Sequence, residues 1–190
     1  MKNPVAVITM QDGRTMTFEL YPDIAPITVN NYADLANSGF YDGLTFHRIK
    51  KGWVLHGGSP YATSESPTDF SIKGEFSENG IPNPLSHERG VLSVPHFDHP
   101  DSGSYQFFIV HTGAKELDGK YATFGKMIEG FKLLDELADT PTDETPGKFN
   151  PPLTPVIMKS VRVTPGDKPL GKPERIIPPA PQDFTGTPRR

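Results

Sequence analysis

Apolar and polar residues alternate with a period of two along Val5–Met10 and again along Met16–Leu20. The four residues between them, Gln11-Asp12-Gly13-Arg14, include an Asp-Gly pair. Alternation sends successive side chains to opposite faces of a strand, and Asp-Gly suits a tight turn, so the chain is predicted to open with a β-hairpin. The period then changes. Ile27, Val29, Tyr32, Leu35 and Ala36 form a helical stripe, with Pro26 in its first turn and Gly39 as its stop. After Tyr41-Asp42-Gly43 a strand is predicted over Leu44–Ile49. Residues 46–60 as a whole read as strand, turn, strand and then Gly57-Gly58, where the backbone must pass close to a neighbour. Residues 59–89 are rich in Ser, Pro, Gly and Asn and are predicted to cross the surface as loops. Val91–Val94, Phe107–Val110 and Thr123–Ile128 read as short strands, and Val156–Val163 as the last. Phe131, Leu133, Leu134, Leu137 and Ala138 mark a second helix. Many short strands with turns between them, and only two helices, predict a mainly β fold: a closed antiparallel barrel with a helix at each open end.

Past Thr164 the periodicity stops. Twelve of the 21 prolines fall at or beyond Pro141, and 165–190 holds almost no helix or strand pattern. The expected organisation is a folded domain over 1–164 and a Pro-rich extended tail over 165–190, draped on the body or disordered. Ile176-Ile177-Pro178-Pro179 suits docking in an apolar groove, and the prolines of Ile176–Pro181 suit the protein's own site or a neighbouring copy's.

Composition narrows the function. A chain of 190 residues holds one real core. A net charge of −4 offers no basic excess to neutralise phosphates, which argues against nucleic acid as a partner. With no cysteine, disulfides and thiolate metal sites are excluded. The opening residues enter strand alternation directly and lack the apolar run of a signal peptide, and nothing approaches transmembrane length, so no membrane partner and a cytoplasmic location are expected. His96, Asp98, His99 and Asp101 are a weak metal signal, two histidines three apart without cysteine, and no metal is expected. Gly57-Gly58 is not a phosphate loop, since no Lys-Ser/Thr follows.

Arg48 is the residue that asks for chemistry. It sits in an apolar run with Phe46 and Ile49, five residues before the only tryptophan, Trp53. Such an arginine either faces solvent or is held over a concave site. A second block, Gly90-Val91-Leu92-Ser93-Val94, Gly103-Ser104-Tyr105-Gln106-Phe107-Phe108-Ile109, Leu117-Asp118-Gly119-Lys120-Tyr121 and Phe124-Gly125-Lys126, bears on the choice. Taken in order with Phe46-His47-Arg48-Ile49 and Gly57-Gly58, it resembles the cyclophilin family of peptidyl-prolyl cis/trans isomerases over residues 4–164.

The resemblance implies an eight-stranded antiparallel barrel capped by two helices, with the active site on its outer face. It implies isomerase activity on proline-containing peptides and unfolded chains, with no cofactor. Arg48 matches the catalytic arginine, and Gln106 the glutamine beside it. His56 takes the place of the usual glutamine before the glycine pair and completes the expected catalytic set. Trp53 stands at the usual phenylalanine of the proline pocket and Val54 at the usual methionine. Phe108 and Leu117 match the pocket floor and rim. Phe46, Pro95, His96, Phe97 and Tyr121 complete the expected substrate-binding set. Pro95-His96-Phe97 replaces a run of small residues, so Phe97 is expected to narrow the channel for the residues before proline. Together with Glu116, which replaces a tryptophan common in eukaryotic members, it is expected to weaken binding of cyclosporin-like cyclic peptides. The competing reading is a cyclophilin-like proline-peptide binding or chaperone module with weak or no turnover.

These residue types suit the reaction in their own right. Amide resonance sets a rotation barrier of roughly 18–20 kcal/mol. Twisting the X–Pro bond restores a lone pair on the prolyl nitrogen. A donor aimed at that nitrogen stabilises the twisted state and not the planar one, and no nucleophile or metal is required. Arg48 supplies a permanent charge and a rigid fork of donors. A neutral His56 imidazole offers both donor and acceptor, whereas its cation would repel Arg48, so activity is expected to fall as pH drops through about 6.5. His47 is expected to be structural, packed or bonded behind the sheet.

Overall fold

In the computed structural model, which describes residues 2–63 and 68–179, eight strands form one antiparallel sheet. In chain order the elements are β1 (Val5–Met10), β2 (Thr15–Leu20), α1 (Pro26–Asn37), β3 (Phe46–Lys50), β4 (Val54–Gly57), β5 (Val91–Val94), β6 (Phe107–Val110), β7 (Ala122–Glu129), α2 (Phe131–Ala138) and β8 (Met158–Thr164). Across the sheet they run β3-β4-β6-β5-β7-β2-β1-β8.

The two edges, β3 and β8, meet through a short seam and not a full ladder. The Thr45–Ile157 bridge is flanked by Phe46 N–H to Val156 O at 3.0 Å and Met158 N–H to Leu44 O at 2.8 Å. Pro155 precedes the seam and has no N–H with which to extend it. Arg162 on β8 reinforces the join with a bidentate grip on Asp42, at 2.7 and 2.6 Å. The expected closed barrel is therefore a curled sheet, only lightly closed.

The alternating positions of β1 and β2 deliver Ala6, Ile8, Met10, Met16, Phe18 and Leu20 to one continuous core. Tyr32 of α1 meets Phe107 edge-on at 5.3 Å and Phe124 at 5.1 Å in its centre. The start of α1 has no local side-chain cap, because Ala25 stands at that position. Glu75, far along the chain, accepts instead from Ile27 N–H (3.1 Å), Thr28 N–H (2.8 Å) and the Thr28 hydroxyl (2.7 Å). This ties the loop through residue 75 to the body. Gly57 and Gly58 do mark a close approach, but to the protein itself. A side chain at 57 would meet Thr45 O at 2.9 Å, and one at 58 would meet Tyr105 O at 3.0 Å.

The described part of the tail is draped on the body. Asp167 N–H bonds Lys2 O at 2.9 Å, and Gly171 N–H bonds Asn30 Oδ1 at 2.9 Å. Arg175 donates to Asn31 (2.9 Å) and Asp34 (2.7 Å) of α1 and lies 4.3 Å from the Phe70 ring. Ile176 exchanges backbone bonds with Ser71. Ile176 is thus held by strand-like pairing and not by an apolar groove, and Ile177 is 89% exposed. Pro181, part of the segment expected to reach a proline site, lies outside the described residues.

Candidate functional site

Three adjacent strands line up side chains on the outer face. Arg48 on β3 pairs with His56 on β4, and His56 pairs with Phe108 on β6. Ser93 on β5 pairs with Phe108 and extends the row. In a regular strand Phe46 and Arg48, two apart, would share a face. A register shift between them breaks that rule. Phe46 is buried in the barrel core against Phe107, 6.0 Å between ring centres, while Arg48 faces out. Phe46 therefore does not line the site, contrary to expectation. Period-two alternation carries no information about where a bulge falls.

The row borders a cleft of about 260 Å³. Arg48, Trp53, Val54, His56, Pro95, His96, Phe97, Gln106, Phe108, Leu117 and Tyr121 all line it, so every expected site residue except Phe46 is brought together. Its floor is a second apolar cluster outside the barrel core, formed by Val54, Val91, Phe108, Val110 and Ala114 with Trp53, Leu85, Leu117 and Tyr121 against it. The Phe108 ring is clamped: His87 stacks on it at 5.9 Å and 13°, and Tyr121 meets it edge-on at 6.0 Å. The buried His87 is itself fixed, with Nδ1 2.9 Å from Asp118 and Nε2 3.0 Å from the Ser93 hydroxyl.

Arg48 forms one wall. Its guanidinium carbon lies 5.1 Å from the Trp53 ring and 5.7 Å from that of Phe149. Its Nε is buried without a hydrogen-bond partner among the described residues, and burial pulls its pKa down. An arginine stays charged under such a shift. Beside it, burial drives His56 well below 6.5, with His47 and Arg48 adding to the effect and a hydrogen bond to Gln106 opposing it. His47 is buried too. Its ring lies 4.6 Å from that of His56, tilted by 55°, and it is pulled to about 4, mainly by burial. Burial thus favours the neutral form of both imidazoles near pH 6.5, which argues against a loss of activity centred on that value.

The opposite wall is a braced loop. His96 stacks on Phe76 at 5.1 Å, with Nδ1 2.6 Å from Phe97 O and Nε2 2.8 Å from Lys120 O. Phe97 N–H donates to the Ser102 hydroxyl at 2.8 Å, and the Phe97 ring is 46% exposed at the rim. Of the weak metal signal, Asp101 is engaged with Gly74, Asn79 and Lys73. Among the described residues no three His, Cys, Asp or Glu side chains cluster as a metal site.

Sequence reasoning missed Thr68, Ser102, Ser104 and Phe149, which also line the cleft. Phe149 arrives from the α2–β8 connection because Ile49 N–H bonds Asn150 O at 3.0 Å, which lays that loop alongside β3. Its only local signal is a lone large aromatic in a turn-rich stretch, Pro146-Gly147-Lys148-Phe149-Asn150.

An arginine held over an apolar cleft on the outer face of an antiparallel curled sheet suits the binding of a small apolar ring beside a directed charge. The profile of the family described as "Cyclophilin type peptidyl-prolyl cis-trans isomerase/CLD" matches residues 5–163. The peptidyl-prolyl cis-trans isomerase B of Bacillus subtilis is 43% identical over 130 residues, 68% of this chain and 87% of that protein. The peptidyl-prolyl cis-trans isomerase-like 1 of Neurospora crassa is 38% identical over 164 residues, 86% of this chain and 95% of that protein. A crystal structure of a Cryptosporidium parvum cyclophilin type isomerase, in the presence of the dipeptide Ala-Pro, superposes with a TM-score of 0.74 at 27% identity, covering 85% of this chain and 99% of that one. The chain belongs to the cyclophilin-type peptidyl-prolyl cis-trans isomerases. No helix among its described residues is long and apolar enough to cross a membrane.

Proposed function

We propose that the chain accelerates rotation about X–Pro bonds in flexible or unfolded polypeptides, with Arg48 as the donor to the prolyl nitrogen. The observation that carries this reading is a half-buried guanidinium at the wall of a cleft whose floor is Val54, Phe108 and Leu117. The ring of proline rests on that floor, which fixes one end of the rotating bond. The neutral His56, bonded to Gln106, faces the carbonyl that precedes proline. As the amide twists, its nitrogen becomes basic, and the Arg48 N–H groups meet a stronger acceptor than the planar ground state offers.

Magnitudes divide the work. A 10⁴-fold acceleration requires about 5.5 kcal/mol. One hydrogen bond from a charged donor contributes about 1.5–3 kcal/mol. The apolar floor must supply the rest, by desolvating the amide and by holding the flanking peptide. Arg48→Ala is therefore expected to lower kcat/KM by about tenfold to a few hundredfold. Unchanged turnover in a protease-coupled proline-peptide assay would remove Arg48 from this role.

The domain over 1–164 is the catalytic unit in this reading, acting in the cytoplasm, with 165–190 as an appended tail. Phe97, exposed at the rim, narrows the approach for residues before proline. Cyclosporin-like cyclic peptides are accordingly expected to bind weakly, and inhibition at micromolar or lower concentration would contradict this.

A further inference from the structure

Arg48 carries a charge in a half-buried site, yet no carboxylate pairs with it directly among the described residues. Its charge is met by ring faces. Trp53 lies at 5.1 Å and Phe149 at 5.7 Å, and Lys50 Nζ approaches the same indole at 5.6 Å. The indole is itself restrained. Trp53 N–H bonds Lys50 O at 2.9 Å, and His111 N–H bonds Trp53 O at 2.8 Å, which fixes its backbone. Its ring nitrogen donates to Glu116 Oε1 at 2.7 Å. Glu116 sits in the short 3₁₀ turn Lys115–Leu117, between Ala114, whose N–H bonds His87 O at 2.9 Å, and Asp118, which accepts from His87 N–H at 2.7 Å and the Ser86 hydroxyl at 2.6 Å. The carboxylate therefore stands on an anchored turn. Residues 53 and 116 are also two positions where the resemblance marks a departure, from the usual phenylalanine and from a tryptophan common in eukaryotic members, and here they contact each other.

We propose that Glu116 is a positioning residue for the isomerisation: it orients and polarises the Trp53 indole, and the indole, together with Phe149, holds the Arg48 guanidinium in its donating pose. A carboxylate placed directly on Arg48 would occupy the N–H groups that the prolyl nitrogen needs. Acting through the indole leaves those donors free. A negative acceptor on the indole N–H adds electron density to the ring face and so strengthens its attraction for the cation. This inference rests on the reading of Arg48 as the donor.

The test is a mutant cycle on the full chain, with turnover of a proline peptide measured by NMR exchange and emission from the only tryptophan, Trp53, as the spectroscopic readout. Glu116→Ala is expected to lower kcat about three- to tenfold, with KM changed less than about twofold, since the effect is on the twisted state. Glu116→Gln keeps an acceptor oxygen and is expected to recover all but about twofold of the loss. The Trp53 emission should shift to the red in Glu116→Ala and much less in Glu116→Gln. In a Trp53→Phe background, adding Glu116→Ala should change turnover by less than about 1.5-fold, because the relay is already cut. An equal Glu116→Ala effect in both backgrounds, a loss confined to KM, or no loss at all would overturn the proposal. Full activity in an Arg48→Ala control would instead overturn the underlying assignment of the donor.

Discussion

His47 and His56 show how burial sets the chemistry of single residues. The rings lie 4.6 Å apart behind Arg48, and burial pulls His47 to about 4 and His56 well below 6.5. Neutral imidazoles do not repel the guanidinium. We therefore expect kcat/KM to stay flat from pH 8 to below 6.5 and to decline only in more acidic solution, and an inflection centred near 6.5 would refute this. The same burial links to stability. A histidine whose folded value lies below its unfolded 6.5 leaves the unfolded state binding more protons, so the stabilisation present above 6.5 is lost as pH falls toward about 4. For His47 the loss approaches about 3 kcal/mol across that window. Urea unfolding at pH 7 and pH 4.5 should reveal it, and His47→Asn should flatten the dependence. The identity of Arg48 as the candidate donor was legible from its neighbours in sequence. The protonation state of His56 was not, since it depends on how many atoms from other strands exclude water around the ring.

At the scale of elements, local periodicity located most strands and both helices to within a residue or two, while two features escaped it. One is the register shift in β3, which sends Phe46 inward and frees the outer face for Arg48. The other is the cap of α1. Sequence rules look for a capping side chain beside the helix, but the donors of Ile27 and Thr28 are satisfied from residue 75. Glu75→Ala leaves these donors without their carboxylate partner, one of them in a buried setting, and is expected to cost about 2–4 kcal/mol. Equilibrium urea unfolding measures this, and a cost below about 0.5 kcal/mol would mean that the helix end finds other partners. Glu75→Gln, which keeps one acceptor oxygen, should cost less.

At the scale of the molecule, the tail through residue 179 is a strap. Arg175 joins α1 to Phe70, and Ile176 adds a short bridge to Ser71, whose neighbour Ile72 pairs with Gly103 on the way to the cleft wall. Truncation after Thr164 removes these contacts, worth about 1–2 kcal/mol together, and is expected to lower Tm by roughly 2–8 °C for a chain of this size. Calorimetry measures the shift. In the same variant kcat/KM should not rise, and a rise would mean that the tail obstructs the cleft. The sequence by itself determined the elements, the turns between them, the candidate arginine and most of the aromatic floor, because alternation, turn chemistry and short motifs are written in contiguous residues. Only the tertiary structure decided that Phe46 belongs to the core, that the sheet closes by a short seam, that Phe149 lies beside Arg48 and Glu116 bonds the Trp53 indole, and that the described tail lies on α1. Each of these depends on register or on contacts between residues far apart in the chain, and neither is encoded in local pattern.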